Sequence, residues 1–514
     1  MSTVHFPSRP ASFVGFVHRS GTEMVDGAGT PLLLRGMGIG NWMLPEGYMW
    51  KFGPGAESPR EIESLTVRLL GAEAAGEFWA GFRANFFTED DVKRIAESGF
   101  DHIRLPLNSR VLIDDDLHFL ETGFAMIDDV IRWCRTHGIW VLLDLHGAPG
   151  GQTGTNIDDS PNNKPELFMD TLYRKATLDL WREIARRYCD ETVVMGYDLL
   201  NEPIPNEWTK IYNADLVLLY RDLTAAIREI DSDHLLMYEG SHWATNWQIF
   251  DAVWDDNSCL QFHKYWSAPD AESIQHFVDA RASLGLPIYM GEGGENNLEW
   301  LYTAWRLYEG HGIGWNFWPW KKIDTRTSPA SIVPPARWAE VVDYVAGGDR
   351  PRDPQSIFAE LLHNMRLENC VWQPAVIQAI TAVDPVQIPA WGFGFRGAEQ
   401  SFRTTTASPL EGMRATDHVT VRYLHEGDRI EHTFDHTDGR DYADSERLVV
   451  ELQAGDWLEY ELDRPVDVSR ITVDDGHPGV AVEASTRGFK LVALEDCRIA
   501  RISIASSTAS PPRE

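Results

Sequence analysis

Two apolar runs in this chain each end in a glutamate. One is Tyr197-Asp198-Leu199-Leu200-Asn201-Glu202-Pro203, and the other is Pro287-Ile288-Tyr289-Met290-Gly291-Glu292-Gly293. Runs of this kind read as buried strands, where an ionised carboxylate is costly unless something pairs with it. Two carboxylates at the mouths of two strands can share the work of glycoside hydrolysis with retention. One serves as acid/base and the other as nucleophile, about 5–5.5 Å apart. Asn201 adjoins Glu202 and can hydrogen-bond a sugar 2-hydroxyl. Arg104 and Tyr265 are suited to keeping a nucleophile ionised, the guanidinium by charge and the phenol by hydrogen bonding. An acid needs the opposite, a poorly solvated setting.

The elements that must carry these residues follow from the apolar pattern. Strands are expected at 32–39, 102–107, 140–146, 194–201, 234–239, 259–265, 287–292 and 313–319, with helical patterns at 123–137, 169–188, 214–230 and 271–284. Eight strand–helix alternations predict a closed (β/α)8 barrel, and nearly continuous apolar strands fit burial on both faces. Polar and aromatic groups gather where these strands end: Asn41 and Trp42, Arg104, His146, Glu202, Glu239, His263, Glu292 and Trp318. Active sites of such barrels sit at that rim. The reading assigns residues 1–385 to the barrel, 386–397 to a linker rich in Pro and Gly, 398–506 to a β-sandwich of short alternating runs, and 507–514 to a disordered tail.

Composition narrows the partners. With 514 residues the chain has room for two domains. A net charge of −32 argues against nucleic acid and against anionic membrane surfaces. Five scattered cysteines form no C-x-x-C pair and fit reduced thiols better than a disulfide framework. The stretch from Met1 to Phe16 lacks the apolar core of a signal peptide, so a cytoplasmic setting and small, imported glycosides are expected. Asp158 and Asp159 have no spaced ligand set around them, and neither metal nor cofactor is called for. Glu295 and Glu299 read as solvated loop carboxylates, and Trp315 and Trp320 as core.

Seven segments together resemble glycoside hydrolase family 5, nearest its exo-β-1,3-glucanase and β-glucosidase branch. They are Gly40 to Glu46, His102 to Pro106, Asp144 to Gly154, Leu199 to Pro203, His263 to Tyr265, Gly291-Glu292, and Trp315 to Lys321. The resemblance implies that Glu202 is the acid/base and Glu292 the nucleophile held by Arg104 and Tyr265. It further implies that His146, Asn201 and His263 line the subsite where cleavage occurs, that Trp318 forms the floor under that sugar, and that Glu46 binds terminal sugar hydroxyls. Those exo-glucanases usually carry a tryptophan directly after the nucleophile. Here Gly293-Gly294-Glu295 follows, and Asn108-Ser109-Arg110 stands where relatives often have aromatics.

The expected activity is a retaining β-glycosidase acting from the chain end on short β-glucosides. A β-mannosidase or a glycolipid or other aglycone β-glycosidase of the same family is the alternative within the class, and a non-catalytic carbohydrate-binding barrel the alternative outside it. In the C-terminal region, Trp457 and Tyr460 lie three apart, face opposite sides of a strand, and should include at least one core residue.

Overall fold

The structure is a computed structural model. It describes residues 13–506 apart from 409, 411, 426–433, 463–464 and 474–478. The expected tail at 507–514 lies outside the described residues.

Eight parallel strands close a barrel. They are β1 (Arg35–Gly38), β2 (His102–Asn108), β3 (Trp140–Gly147), β4 (Val194–Asp198), β5 (Leu235–Glu239), β6 (Ser258–His263), β7 (Ile288–Gly294) and β8 (Gly314–Trp318). Every residue of all eight is buried, which is why their apolar runs show no in–out alternation. Helices between them, such as Glu121–His137, Thr171–Tyr188 and Asn206–Arg228, form the outer shell. Thr171–Tyr188 opens on Asp170, whose side chain accepts from the Leu172 N–H, and ends with Arg186 and Arg187 in its last turn. That is the charge order a helix dipole favours. At the N-terminal end of the barrel, Trp140, Leu142, Met195, Leu235 and Met237 form a separate apolar plug with Val17 and Met24 of the leading hairpin.

Beyond the barrel, antiparallel sheets follow, as the alternating runs predicted. One is four-stranded and contains Trp457–Glu461, Gly488–Ala493 and Val480–Ser485. Tyr460 is fully buried and stacks on Phe489 with ring centroids 5.2 Å apart. Trp457 is also largely buried, with the Lys490 ammonium 3.9 Å from its ring centre. The segment expected as a linker is structured instead. Val386–Pro389 is a strand that pairs antiparallel with Arg501–Ile504, and Trp391 and Phe393 behind it are buried. Proline is tolerated there because the strand lies at the edge of its sheet.

The sheets dock firmly on the barrel. Arg501 pairs with Glu299, the Arg414 backbone N–H donates to Asp270 (3.0 Å), and the Tyr302 hydroxyl donates to the Glu461 carbonyl (3.2 Å). Among the described residues, no helix is long and apolar enough to cross a membrane.

Candidate active site

The C-terminal ends of the strands bring together all nine residues singled out from the sequence. At the centre lies Arg104 of β2, with no exposed surface. Its Nε donates to Asp198 (2.8 Å), its Nη1 to Glu292 (2.8 Å), and its Nη2 to Asn201 (2.8 Å) and Glu239 (3.1 Å). Asp144 stands 3.2 Å away. Burial opposes the charge on Arg104, but the surrounding carboxylates hold it well above the ordinary guanidinium value. Burial also pushes Asp144 up to about 8, against the pull of Arg104.

Glu292 reaches its position through a strand irregularity. Met290 of β7 pairs with Phe262 of β6, yet Glu292 pairs with the very next residue, His263. The extra residue is Gly291, and a Cβ there would lie 2.0 Å from the Gln261 side chain. A bulge of this kind re-aims the side chain that follows it. One Glu292 oxygen accepts from Arg104, and the other accepts from the Tyr265 hydroxyl at 2.8 Å. Burial raises the Glu292 carboxyl to about 7. His263 pulls it down, Glu202 pushes it up, and Arg104 lowers it again.

Glu202 sits just past β4 with a left-handed backbone, φ 43°. Such a conformation is costly for a residue with a side chain and persists only when its surroundings fix it. Here the Glu202 N–H donates to Glu239 Oε2 at 2.7 Å. Glu239, at the end of β5, was visible in the sequence only as one polar strand end among several. It proves to be the buried brace of the site, tied to Arg104, to Glu202 and, at 3.2 Å, to His263 Nε2. Burial pushes the Glu239 carboxyl up, but His263, Arg104 and the Glu202 N–H carry it below its ordinary value.

His263 therefore lies between carboxylates, with Nε2 toward Glu239 and Nδ1 2.8 Å from Glu202 Oε1. Burial would favour the neutral ring, yet Glu239, Glu292 and the two hydrogen bonds raise it well above its usual value. The ring is an imidazolium that donates from both nitrogens. His146 is the opposite case. Burial lowers it to about 4, and the neutral ring donates from Nδ1 to Asp144 (2.8 Å) while Nε2 faces the Asn201 amide (3.3 Å). It stacks on Trp318 with centroids 5.3 Å apart and planes 8° from parallel. Trp318 donates from Nε1 to the Tyr48 hydroxyl at 3.0 Å.

The cavity above these groups holds about 780 Å³, a size suited to a small ligand. Glu46 lines it, buried, with Oε1 lacking a partner inside the protein. Burial, together with Glu292, Glu295 and Glu202, raises the Glu46 carboxyl well above its ordinary value. Two expectations need correction. Glu295 is no solvated loop carboxylate but a buried partner of Lys322 in the cavity wall, and Glu299 is the buried partner of Arg501. In each case the cation lies too far along the chain for a local pattern to reveal it. Asp158 accepts from the loop amides of Thr153 and Gly154 and from the Ser160 hydroxyl, while Asp159 pairs with Arg110. Trp315 and Trp320 are core, as expected.

Oxygen atoms of Glu202 and Glu292 and a nitrogen of His263 lie within 4.8 Å of one another. The trio is compact enough for a metal ion, but the donor set argues against one. Both Glu292 oxygens are taken by Arg104 and Tyr265, and an imidazolium has no free lone pair. What the geometry does provide is two carboxylates at the spacing of a retaining glycosidase.

Residues 67–324 match the family model described as cellulase, glycosyl hydrolase family 5. The chain belongs to glycoside hydrolase family 5. Within that family it is similar to a β-xylosidase of Phanerodontia chrysosporium, 29% identical over 60% of this chain and 71% of the relative. It is similar to a probable glucan 1,3-β-glucosidase of Aspergillus fumigatus, 28% identical over 47% of this chain and 59% of the relative. Endoglucanase C of Acetivibrio thermocellus is 34% identical over 35% of this chain, which spans half of that relative's length. This family 5 glycoside hydrolase thus has relatives that differ in sugar and in mode of attack.

Proposed function

We propose that the protein is a retaining β-glycosidase that acts from the chain end on short β-glucosides. The observation that carries this reading is the placement of Glu202 and Glu292, with oxygens within 4.8 Å and Arg104 and Tyr265 on Glu292 alone. An inverting pair would stand roughly 6.5–9.5 Å apart to admit a water.

In the first half-reaction a Glu292 oxygen forms a bond to the anomeric carbon, and the glycosidic C–O bond breaks as Glu202 protonates the departing oxygen. In the second, Glu202 takes a proton from water, the water oxygen bonds to the anomeric carbon, and Glu292 leaves. Glu202 thereby regains the proton it gave up, while His263 Nδ1 holds its Oε1 in place at 2.8 Å. Asn201 is fixed by Arg104 and set toward the sugar 2-hydroxyl, where a hydrogen bond strengthens as positive charge grows on the ring.

The partnerless Glu46 oxygen supports binding of terminal sugar hydroxyls, since a buried acceptor left unpaired costs about 1–3 kcal/mol. The β-xylosidase relative favours a second reading, a β-xyloside substrate. Aryl β-glycosides of glucose, xylose, mannose, galactose and fucose would decide the sugar. Proton NMR of the first product on the preferred one should show the β-anomer, and an α-anomer appearing first would refute retention. Release of single sugars or short end units is expected from a soluble oligosaccharide. Early products dominated by internal fragments would refute action from the end.

A further inference from the structure

One stretch of the cavity wall does not come from the barrel. Thr437 and Asp438 belong to the C-terminal region, yet they line the catalytic cavity together with Lys51 and Lys322. The same four residues line a neighbouring hollow of about 400 Å³, which Asp324, Thr325, Arg326 and Arg440 complete. They therefore stand between the two spaces. Without them the cleft over Glu292 would run on into that hollow.

The interruption lies at the glycone end. Glu202 must face the leaving group, and the loop that carries Trp243 sits beside it, since the His242 N–H donates to the Ile204 carbonyl at 2.8 Å. Thr437 and Asp438 are met on the other side, with Lys51 and Lys322. The Lys51 N–H donates to the Tyr48 carbonyl (3.1 Å), and Lys322 pairs with Glu295 and stands 5.5 Å from the Tyr48 ring centre. The Tyr48 hydroxyl in turn accepts from Trp318, the floor expected under the sugar.

A stop must resist the chain end that presses on it, and this one is braced. The Gly439 N–H donates to the His436 carbonyl at 2.8 Å, which makes His436–Gly439 a β-turn with Thr437 and Asp438 at its tip. The Arg440 N–H donates to Asp438 Oδ1 (3.0 Å), a closure that aspartate favours in turns. Before the turn, the Phe434 carbonyl accepts from the side-chain amide of Asn296, in the loop that follows Glu292 (2.5 Å). After it, Arg440 pairs with Glu446 at 3.0 Å. Gly439 has φ 71°, and a Cβ there would lie 2.9 Å from Thr327 Cγ2 of the barrel domain, so both backbone and packing call for glycine. His436 at the base of the turn is buried, with its ring edge-on to Tyr442 at 4.8 Å between centroids. The support behind is equally fixed. The helix Leu298–Gly310, which follows β7, is buried from Glu299 through Glu309, where the C-terminal sheets dock on it through Arg501 and Glu461.

We infer that the turn His436–Gly439 is an end stop lent to the barrel by the C-terminal region, which blocks the glycone end of the cleft and so confines the enzyme to attack from the chain end. The C-terminal region is then a working part of the active site rather than a tethered module. Its turn excludes a continuing chain by collision, while the barrel residues keep the chemistry. This rests on the glycosidase reading above and deepens it.

The test compares the native enzyme with two variants. Thr437→Gly/Asp438→Gly keeps the turn and removes its tip, and Gly439→Ala keeps the tip and displaces the turn. The substrates are cellohexaose and laminarihexaose, and chromatography reads the ratio of internal fragments to end units among the first products. Unfolding in urea reports that each variant is folded. On the hexaose that the native enzyme cleaves, the ratio should rise about tenfold in the double variant and in the same direction in Gly439→Ala. An unchanged ratio in the double variant would overturn the inference, and if that variant does not fold, Gly439→Ala decides in its place. Internal fragments from the native enzyme would refute attack from the end, and the stop with it. If neither hexaose nor any aryl glycoside is turned over, the glycosidase reading fails first. Whenever neither hexaose is cleaved, calorimetry with the two hexaoses, cellobiose and laminaribiose tests the stop alone. The double variant should then raise the hexaose-to-disaccharide affinity ratio about tenfold. An unchanged ratio, or no binding at all, refutes it.

Discussion

The floor and the rim of one cavity are built on opposite principles. On the floor, Arg104, Asp198, Glu239, Asn201 and Glu292 are buried and bonded to one another, and each group has its position set by at least one other. At the rim, Trp243, Trp266, Lys51 and Asp324 hold left-handed backbones, and Trp266 is 47% exposed. Under the proposed function the floor fixes the charges that make and break the glycosidic bond, and a buried polar network rewards full satisfaction. The rim sets what can reach that floor, and it can change without disturbing the chemistry. Relatives that share a floor can therefore differ in sugar and in mode of attack.

The comparison is broken most severely at the floor. Replacing Glu292 by Ala should lower kcat about 10⁴-fold or more, because no other oxygen can form the covalent intermediate. With the native enzyme, a 2-deoxy-2-fluoro glycoside should leave its sugar on Glu292, read by peptide mass spectrometry. A label on any other carboxylate would show that the floor has been assigned wrongly. For Glu202→Ala the loss should depend on the leaving group, about 10²–10⁴-fold for poor ones and far less for activated aryl glycosides. Azide should restore turnover and yield a β-azide product. Equal loss on both substrate types without rescue would remove Glu202 from the acid/base role.

Glu239 tests whether the floor works as a charged unit. Glu292 must be ionised to attack, and its carboxyl is raised to about 7, so kcat/KM should climb as pH rises through about 7. The basic limb reports loss of the His263 proton, and the raised His263 value places that limb well above pH 6.5. Glu239→Gln keeps the shape of the brace but removes a charge that favours the imidazolium. The basic limb should move to lower pH, with kcat down about 10- to 100-fold. A uniform loss with an unmoved profile would reduce Glu239 to a packing role.

At the boundary between floor and rim, Glu46→Ala should cost about ten- to a hundredfold in kcat/KM, the equivalent of a charged hydrogen bond worth about 1.5–3 kcal/mol. Steady-state kinetics on the preferred aryl glycoside measures it. A loss under threefold would remove Glu46 from sugar binding.

The floor was far more legible in the sequence than the rim, for a physical reason. Strands buried on both faces leave continuous apolar runs, so β2, β3 and β5 to β8 fall within two residues of their expected ends, and the polar residues that follow stand out. What the runs could not show is which strand-end acid braces which other. Glu239 looked like any polar terminus because its partners come from elsewhere, Arg104 from β2, Glu202 from the loop after β4, and Gln261 and His263 from β6. Glu295 and Glu299 were misread for the same reason, with their cations 27 and 202 residues away. The strand Val386–Pro389 was hidden by its prolines and by a partner near the end of the chain. The approach of Thr437 and Asp438 to the cavity had no local signal at all.

The smallest effect expected is also the one that separates rim from floor most sharply. Trp243 lies beside the loop of Glu202, half-buried, with φ 59° between two further left-handed residues, His242 and Ala244. An aromatic side chain forced into that backbone is destabilising unless it serves a ligand. Trp243→Gly relieves the backbone strain and removes the ring. Unfolding midpoints in urea should therefore stay level or rise, although a large apolar side chain has been lost. Activity should respond the other way. The ring can contribute about 0.5–1.5 kcal/mol against an aromatic leaving group, so kcat/KM on aryl glycosides should fall about two- to tenfold. An alkyl glycoside, which offers no ring to stack on, should be hydrolysed as before. A clear drop in stability with equal loss on aryl and alkyl substrates would make Trp243 a packing residue, and would move the border of the floor outward to include it.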